Sequence, residues 1–160
     1  LIHSLFSMSS FFSAFSFKYL ETDDSELNGC LVVGPVANKG AQQAFLGTKN
    51  RKTISLIERN ITHNSENEEK LAVLCPKIEE LDLAGNKIAH WGQVSAIIKG
   101  CEHLRFLNIS SNPIDPSTSD SFEFPPSLRA LVFQKANLSW ENISFISSLP
   151  FQHLEELHCF

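Results

Sequence analysis

One pattern constrains this chain more than any other: an apolar residue, a Leu-x-Leu pair three positions later, then an Asn, recurring at a near-constant interval. Ile78, Leu81, Leu83, Asn86 and Ile88 set the frame. Leu104, Leu107, Ile109, Asn112 and Ile114 repeat it 26 residues on. Leu128, Leu131, Phe133 and Leu138 follow after 24 more, with Ala136 where Asn belongs, and Leu154, Leu157 and Cys159 open a further copy after another 26. Reading backward, Ile54, Leu56 and Ile61 fill the same slots of a degenerate first copy that starts near Arg51.

Copies in register over about 110 residues predict an α/β fold of one kind, a leucine-rich repeat solenoid. Short parallel strands line its concave face, and helices or loops return along its convex face. The Leu-x-Leu pair points into the coil, so the residues around it point outward. The Asn turns the chain, and its amide satisfies backbone groups that the turn would leave unpaired. Asn86 and Asn112 are therefore expected to stack as a short ladder. Val94, Ile97, Ile98 and Cys101 fall at helical spacing on the return path, as do Leu71 and Leu74 one copy earlier and Ile143, Ile146 and Leu149 later. Ser65 with Glu68 reads as a capping box, and Ser139 as an N-cap. The stretch 113–127 carries Pro113, Pro116, Pro125 and Pro126 and predicts an irregular loop, with Phe122 and Phe124 plugging the core.

Ahead of the repeats, residues 1–20 read as an N-terminal helical cap: Phe11, Phe15 and Tyr19 recur every four positions, with Phe12 beside them. A secretion signal is a poor fit, because no Lys or Arg precedes Lys18 and serines interrupt each apolar run. The chain begins with Leu1 and its one methionine is Met8, so it reads as a fragment or as starting at Met8. Residues 21–50 form an irregular linker with at most one short strand at Leu31–Val33, and residues 51–160 form the repeat domain, whose last copy is unfinished at Phe160.

Composition narrows the function classes. A formal charge of -5 and a pI near 5.6 argue against nucleic acid, which needs a concentrated positive field. No apolar run reaches the roughly 20 residues that span a bilayer. The four cysteines form no CxxC pair, and Cys101-Glu-His103 and His158-Cys159 lack a second cluster at zinc spacing, so no metal or other cofactor is expected. Cys75 and Cys101 each lie three residues before a repeat's first apolar position and are expected as buried, reduced neighbours in adjacent coils. There is no GxSxG, HExxH or phosphate loop, and a small-molecule substrate has no visible site. Trp91 and Trp140, at similar points of two repeats, are expected to fill the coil rather than present a platform.

What remains is a surface. The outward strand positions are Thr53 and Ser55, Glu80 and Asp82, Phe106 and Asn108, Ala130 and Val132, Glu156 and His158, with Gln134 and Lys135 beyond. Phe106 and Val132 are apolar where solvent is expected. Apolar residues flanked by charge suit a protein-binding patch. The opposing reading is that the N-terminal phenylalanines cover them. The candidate partner-binding set is Glu80, Asp82, Phe106, Asn108, Val132, Gln134, Lys135, Glu156 and His158.

The segments LCPKIEELDLAGNKIAHWGQV, HLRFLNISSNPI, LRALVFQKANLSWENISFI and LEEL together resemble the leucine-rich domain of the tubulin-folding cofactor E family, in particular its E-like branch. The resemblance covers roughly residues 53–160, and its Trp and Cys phase is not general to leucine-rich repeats. The N-terminal FxxKYLE is similar to the lead-in of the E-like branch, and residues 1–50 do not read as a CAP-Gly domain, which favours that branch. The resemblance implies a cytoplasmic, cytoskeleton-associated protein that binds α-tubulin, promotes dissociation of the tubulin heterodimer and regulates microtubule stability. It also implies further repeats and a C-terminal ubiquitin-like domain, neither of which occurs up to Phe160. Two rival classes stay open. One is an extracellular leucine-rich glycoprotein, supported by NxS/T matches at Asn60, Asn108, Asn137 and Asn142. The other is a cytosolic scaffold for a different partner.

Overall fold

The computed structural model describes residues 9–20, 46–64, 71–115, 123–134, 140, 144, 147–148 and 151–159. The expected strand at 31–33, the caps at Ser65 and Ser139, the helix through Ile143, Ile146 and Leu149, and the side chains of Phe122, Lys135, Ala136 and Leu138 lie outside them.

Each Leu-x-Leu frame builds one three-residue strand. β2 is Thr53–Ser55, β4 Glu80–Asp82, β5 Phe106–Asn108, β6 Ala130–Val132 and β7 Glu156–His158. They form one parallel sheet in the order β2-β4-β5-β6-β7. The register is uninterrupted: Ile54, Leu81, Leu107, Leu131 and Leu157 lie opposite one another along the inner row. The first four are buried, and Leu157 on the last strand is half-buried. Leu56, Leu83, Ile109 and Phe133, two residues further on, are buried as well. Parallel pairing needs a crossover of about a dozen residues or more, and returns of this length supply it.

The return paths bury their helical faces. The short helix α2, Leu71–Leu74, buries Leu71 and Leu74, and α3, Trp91–Ile98, buries Trp91, Val94, Ile97 and Ile98. The Gln93 side chain reaches back to accept from the backbone N–H groups of Ala89 and His90, which closes the first turn of α3. The Pro-rich stretch is non-helical at 113–115 and 123–127, and Phe124 packs into the core there. Its ring lies 6.0 Å from Trp91 and 4.8 Å from Phe151, and Phe133 lies 5.5 Å from Trp91. Trp91 thus fills the coil as expected. Trp140 does not: it is 77% exposed. The two tryptophans share a phase in sequence, but the aromatic side chains of Phe124 and Phe133 converge on Trp91.

The N-terminal segment adds a second, two-stranded parallel sheet that the repeat pattern does not announce. β1, Ser9–Ser10, pairs with β3, Ile61–His63. Ser10 then caps α1, Phe11–Tyr19, by accepting from the Ser13 N–H at 3.1 Å. Phe11 and Phe15 are fully buried, and their rings stack at 6.2 Å. Tyr19 reaches the outer strand, its hydroxyl accepting from Ser55 N–H at 3.0 Å and donating to Ser55 C=O at 3.2 Å. That occupies ladder groups on the edge of β2, a position from which parallel sheets otherwise recruit strangers. The end of the expected linker also packs: Thr48 is buried and donates to Leu74 C=O at 3.1 Å.

Candidate functional site

The turns after the strands fix the sheet on which the outward residues stand. Asn86 is 3% exposed and Asn112 is 1% exposed, and each amide both accepts and donates. Asn86 Oδ1 accepts from Arg59 and Ile61 N–H, and its Nδ2 donates to Leu56 and Leu83 C=O. Asn112 Oδ1 accepts from Ile88 N–H, and its Nδ2 donates to Leu83 and Ile109 C=O. The Leu83 carbonyl accepts from both, so the expected ladder exists and is joined at that atom. The residue just before this slot is left-handed in three successive copies: Glu58 at φ 55°, Gly85 at 68° and Ser111 at 55°. Only Gly85 adopts that conformation without strain. A Cβ there would also stand 2.8 Å from Glu58 Cγ.

On this frame the outward residues form two rows. Thr53, Glu80, Phe106, Ala130 and Glu156 lie opposite one another, and so do Ser55, Asp82, Asn108, Val132 and His158. Glu80, Glu156 and Gln134 are exposed, whereas Asp82, Phe106, Asn108, Val132 and His158 are half-buried. Lys135 lies outside the described residues. Phe106 and Val132 are diagonal neighbours on adjacent strands, within mutual reach of their side chains. Among the described residues, the buried N-terminal phenylalanines do not cover them. Phe11 and Phe15 are spent in the core, where α1 packs against β3 and the edge of β2.

Two of the candidates have a structural duty that the pattern did not reveal. Asp82 Oδ1 accepts from Ala84 N–H at 3.0 Å, and Asn108 Oδ1 accepts from Ser110 N–H at 3.1 Å. Each is an Asx turn that starts the bend out of its strand. One oxygen of each side chain is therefore committed to the fold. The Gln134 backbone, meanwhile, accepts from Ser111 N–H and donates to the Ser110 hydroxyl.

Flanking charge is ordered by the same repeat. Lys52, Glu79, Arg105, Arg129 and Glu155 occupy the slot just before each strand, and each backbone carbonyl of the first four accepts two N–H groups from the next copy. Lys52 and Glu79 pair at 2.7 Å, and Arg129 and Glu155 at 3.3 Å. The hydrogen bond from Lys52 holds the Glu79 carboxyl below its usual range. Such exposed pairs contribute little to stability, so their weight lies in the field they set along the rim. On the face itself Glu80 accepts from the Thr53 hydroxyl at 3.1 Å, and Glu156 meets His158 Nε2 at 3.1 Å.

Cys75 and Cys101 are buried free thiols in adjacent coils. Desolvation pushes Cys75 up to about 11; desolvation, then the neighbouring Cys75, pushes Cys101 up to about 12. Neither is a nucleophile at neutral pH. Among the described residues, no three His, Cys, Asp or Glu side chains converge as metal ligands, and no helix is long and apolar enough to cross a membrane.

Repeats, register and Asn ladder together have the pattern of leucine-rich repeats. The leucine-rich repeat family matches residues 74–89 and 100–117. The chain is similar to tubulin-specific chaperone E and E-like proteins. The human tubulin-specific chaperone cofactor E-like protein is 38% identical over 96 residues, covering 56% of this chain and 22% of its own length. Its *Caenorhabditis elegans* counterpart is 29% identical over 143 residues, covering 88% of this chain and 32% of its own. Tubulin-specific chaperone E of *Bos taurus* is 26% identical over 148 residues, or 83% and 27%. The chain thus spans a third or less of the length of these relatives. No solved structure gives a significant match.

Proposed function

We propose that this chain is a non-catalytic, tubulin-binding module of a cytoplasmic, cytoskeleton-associated cofactor. In this reading residues 51–160 form a solenoid, residues 1–20 cap its first coil, and residues 21–50 link the two. The strands form the concave side and α2 and α3 the convex side. The partner is α-tubulin, the binding face is the outward strand face, and the consequence is dissociation of the tubulin heterodimer and control of microtubule stability.

The observation that carries the binding face is the half-exposed pair Phe106 and Val132 at the middle of the sheet, with Glu80 and Asp82 on one side and Glu156 and His158 on the other. A central apolar contact rimmed by polar groups is the usual anatomy of a specific protein interface. The identity of the partner rests on the names of the relatives. Gln134 and Lys135 extend the rim, and Asn108 contributes the amide nitrogen that its turn does not use.

The test is a pull-down of α-tubulin with Phe106→Ala/Val132→Glu in the full chain, with circular dichroism and melting in parallel. Loss of capture at unchanged melting supports the reading. Full capture removes the strand face as the binding site.

A further inference from the structure

We propose that the surface around α1 is a second docking site, for an acidic protein segment. Lys18, at the end of α1, and Arg51, just before β2, both stand over the Tyr19 ring, at 5.4 Å and 4.7 Å from its centroid. Arg59 stands 5.9 Å from the centroid of Phe17, the residue next to Lys18. Phe17 is 63% exposed. Three cations and an exposed aromatic ring are therefore gathered along α1 in a chain whose formal charge is -5.

Among the described residues, none of these three cations pairs with a carboxylate: Lys18 donates to Ser55 C=O, and the two guanidinium groups lie on rings. The contrast with Lys52 and Arg129 is informative, because each of those has a glutamate partner. Like charges gathered on one ring repel, and an incoming carboxylate relieves that repulsion. A guanidinium resting on a ring keeps its outward N–H groups free to grip a carboxylate in a fork. Phe17 supplies apolar contact beside the charges, which favours a segment alternating acidic and apolar or aromatic residues. Three cations are too few to hold nucleic acid against the net negative charge. The site is separate from the outward strand face and stands independently of it.

The test is fluorescence anisotropy of a labelled ten-residue peptide alternating Glu and Phe, titrated with the full chain, against a Lys/Phe counterpart. We expect saturable binding of the acidic peptide alone, weakening as salt rises from 50 to 300 mM. Arg51→Glu/Arg59→Glu should weaken it about tenfold or more, and Lys99→Glu, an exposed cation elsewhere, less than twofold. Should the reversal perturb melting, Arg51→Gln/Arg59→Gln must show the same loss in smaller measure. No saturable binding, or equal binding by wild type and the double variant, overturns the proposal. So does binding that emerges only after Glu21, Asp23, Asp24 and Glu26 are changed to Gln or Asn, which would assign the cations to that run. Capture of phosphatidylserine vesicles without peptide binding would overturn it in favour of a membrane surface.

Discussion

Replacing Asn112 by Ala isolates the turn ladder. The side chain is 1% exposed and serves four backbone groups: Ile88 N–H at 3.1 Å, and the carbonyls of Leu83 at 2.9 Å, Ile109 at 3.0 Å and Ser110 at 3.3 Å. Their losses are unequal. Leu83 C=O keeps Asn86 Nδ2 at 2.8 Å. The Ser110 bond is long, and Ser110 C=O keeps Gly85 N–H at 2.9 Å. Ile88 N–H and Ile109 C=O carry the cost, at about 1–3 kcal/mol for each buried group left without a partner. Partial relaxation brings the expected total to roughly 2–4 kcal/mol, a large part of the stability of a domain this size. Asn112→Asp keeps the acceptor for Ile88 but loses both N–H donors, so it should lie between wild type and Ala at a pH where the carboxyl is protonated. Urea unfolding followed by far-UV circular dichroism measures both. An Asn112→Ala variant within 0.5 kcal/mol of wild type at an unchanged slope would refute the reasoning, because the ladder would then carry no burden that water cannot.

Three further perturbations probe other parts of the frame. Leu107→Ala empties a fully buried position of the inner row and should cost roughly 2–5 kcal/mol in the same urea assay. Gly85→Ala forces a side chain into a left-handed residue at φ 68° and should cost about 1–2 kcal/mol, while Ser111→Gly at φ 55° should be neutral or stabilising by up to about 1 kcal/mol. The thiols of Cys75 and Cys101 are raised from 9.0 to about 11 and about 12, so they contribute stability fully below pH 9 and lose it as pH rises through 11. A Cys75→Ala/Cys101→Ala variant should therefore show a shallower fall in urea midpoint between pH 8 and pH 11 than wild type, and the native thiols should react with a disulfide reagent only as fast as the chain opens.

The strands, the inner row, the Asn ladder, the buried face of α3 and the thiol pair were all legible, because each is written at a fixed interval and stacking turns that interval into contact. What escaped the sequence depends on partners far away in the chain. Nothing near Ser9 or Ile61 announces that they pair. Tyr19 reads as one more residue of an apolar stripe, yet its hydroxyl seals the edge of β2. Trp140 shares the phase of Trp91, but the surroundings that bury Trp91 come from Phe124 and Phe133, whose convergence on one tryptophan and not the other is set by the fold rather than by the shared phase. Among the site residues, strand alternation separates the positions beside the buried inner row from it, but only Glu80, Glu156 and Gln134 are exposed and the rest are half-buried. The Asx turns of Asp82 and Asn108 had a local signal, an acidic or amide residue two positions before the bend, at positions that also turn outward from the strand. The basic cluster was hidden because Lys18, Arg51 and Arg59 are separated in sequence and come to the rings of α1 only once the chain folds.

The proposal that the outward strand face engages α-tubulin is tested most directly by placing a photo-crosslinking phenylalanine analogue at position 106 and, separately, at Val73. Val73 is an exposed position on α2, which the proposal puts on the convex side. Irradiation with purified tubulin should yield a covalent adduct to α-tubulin from position 106 and none from position 73. An adduct from position 73 with none from position 106 would contradict the account.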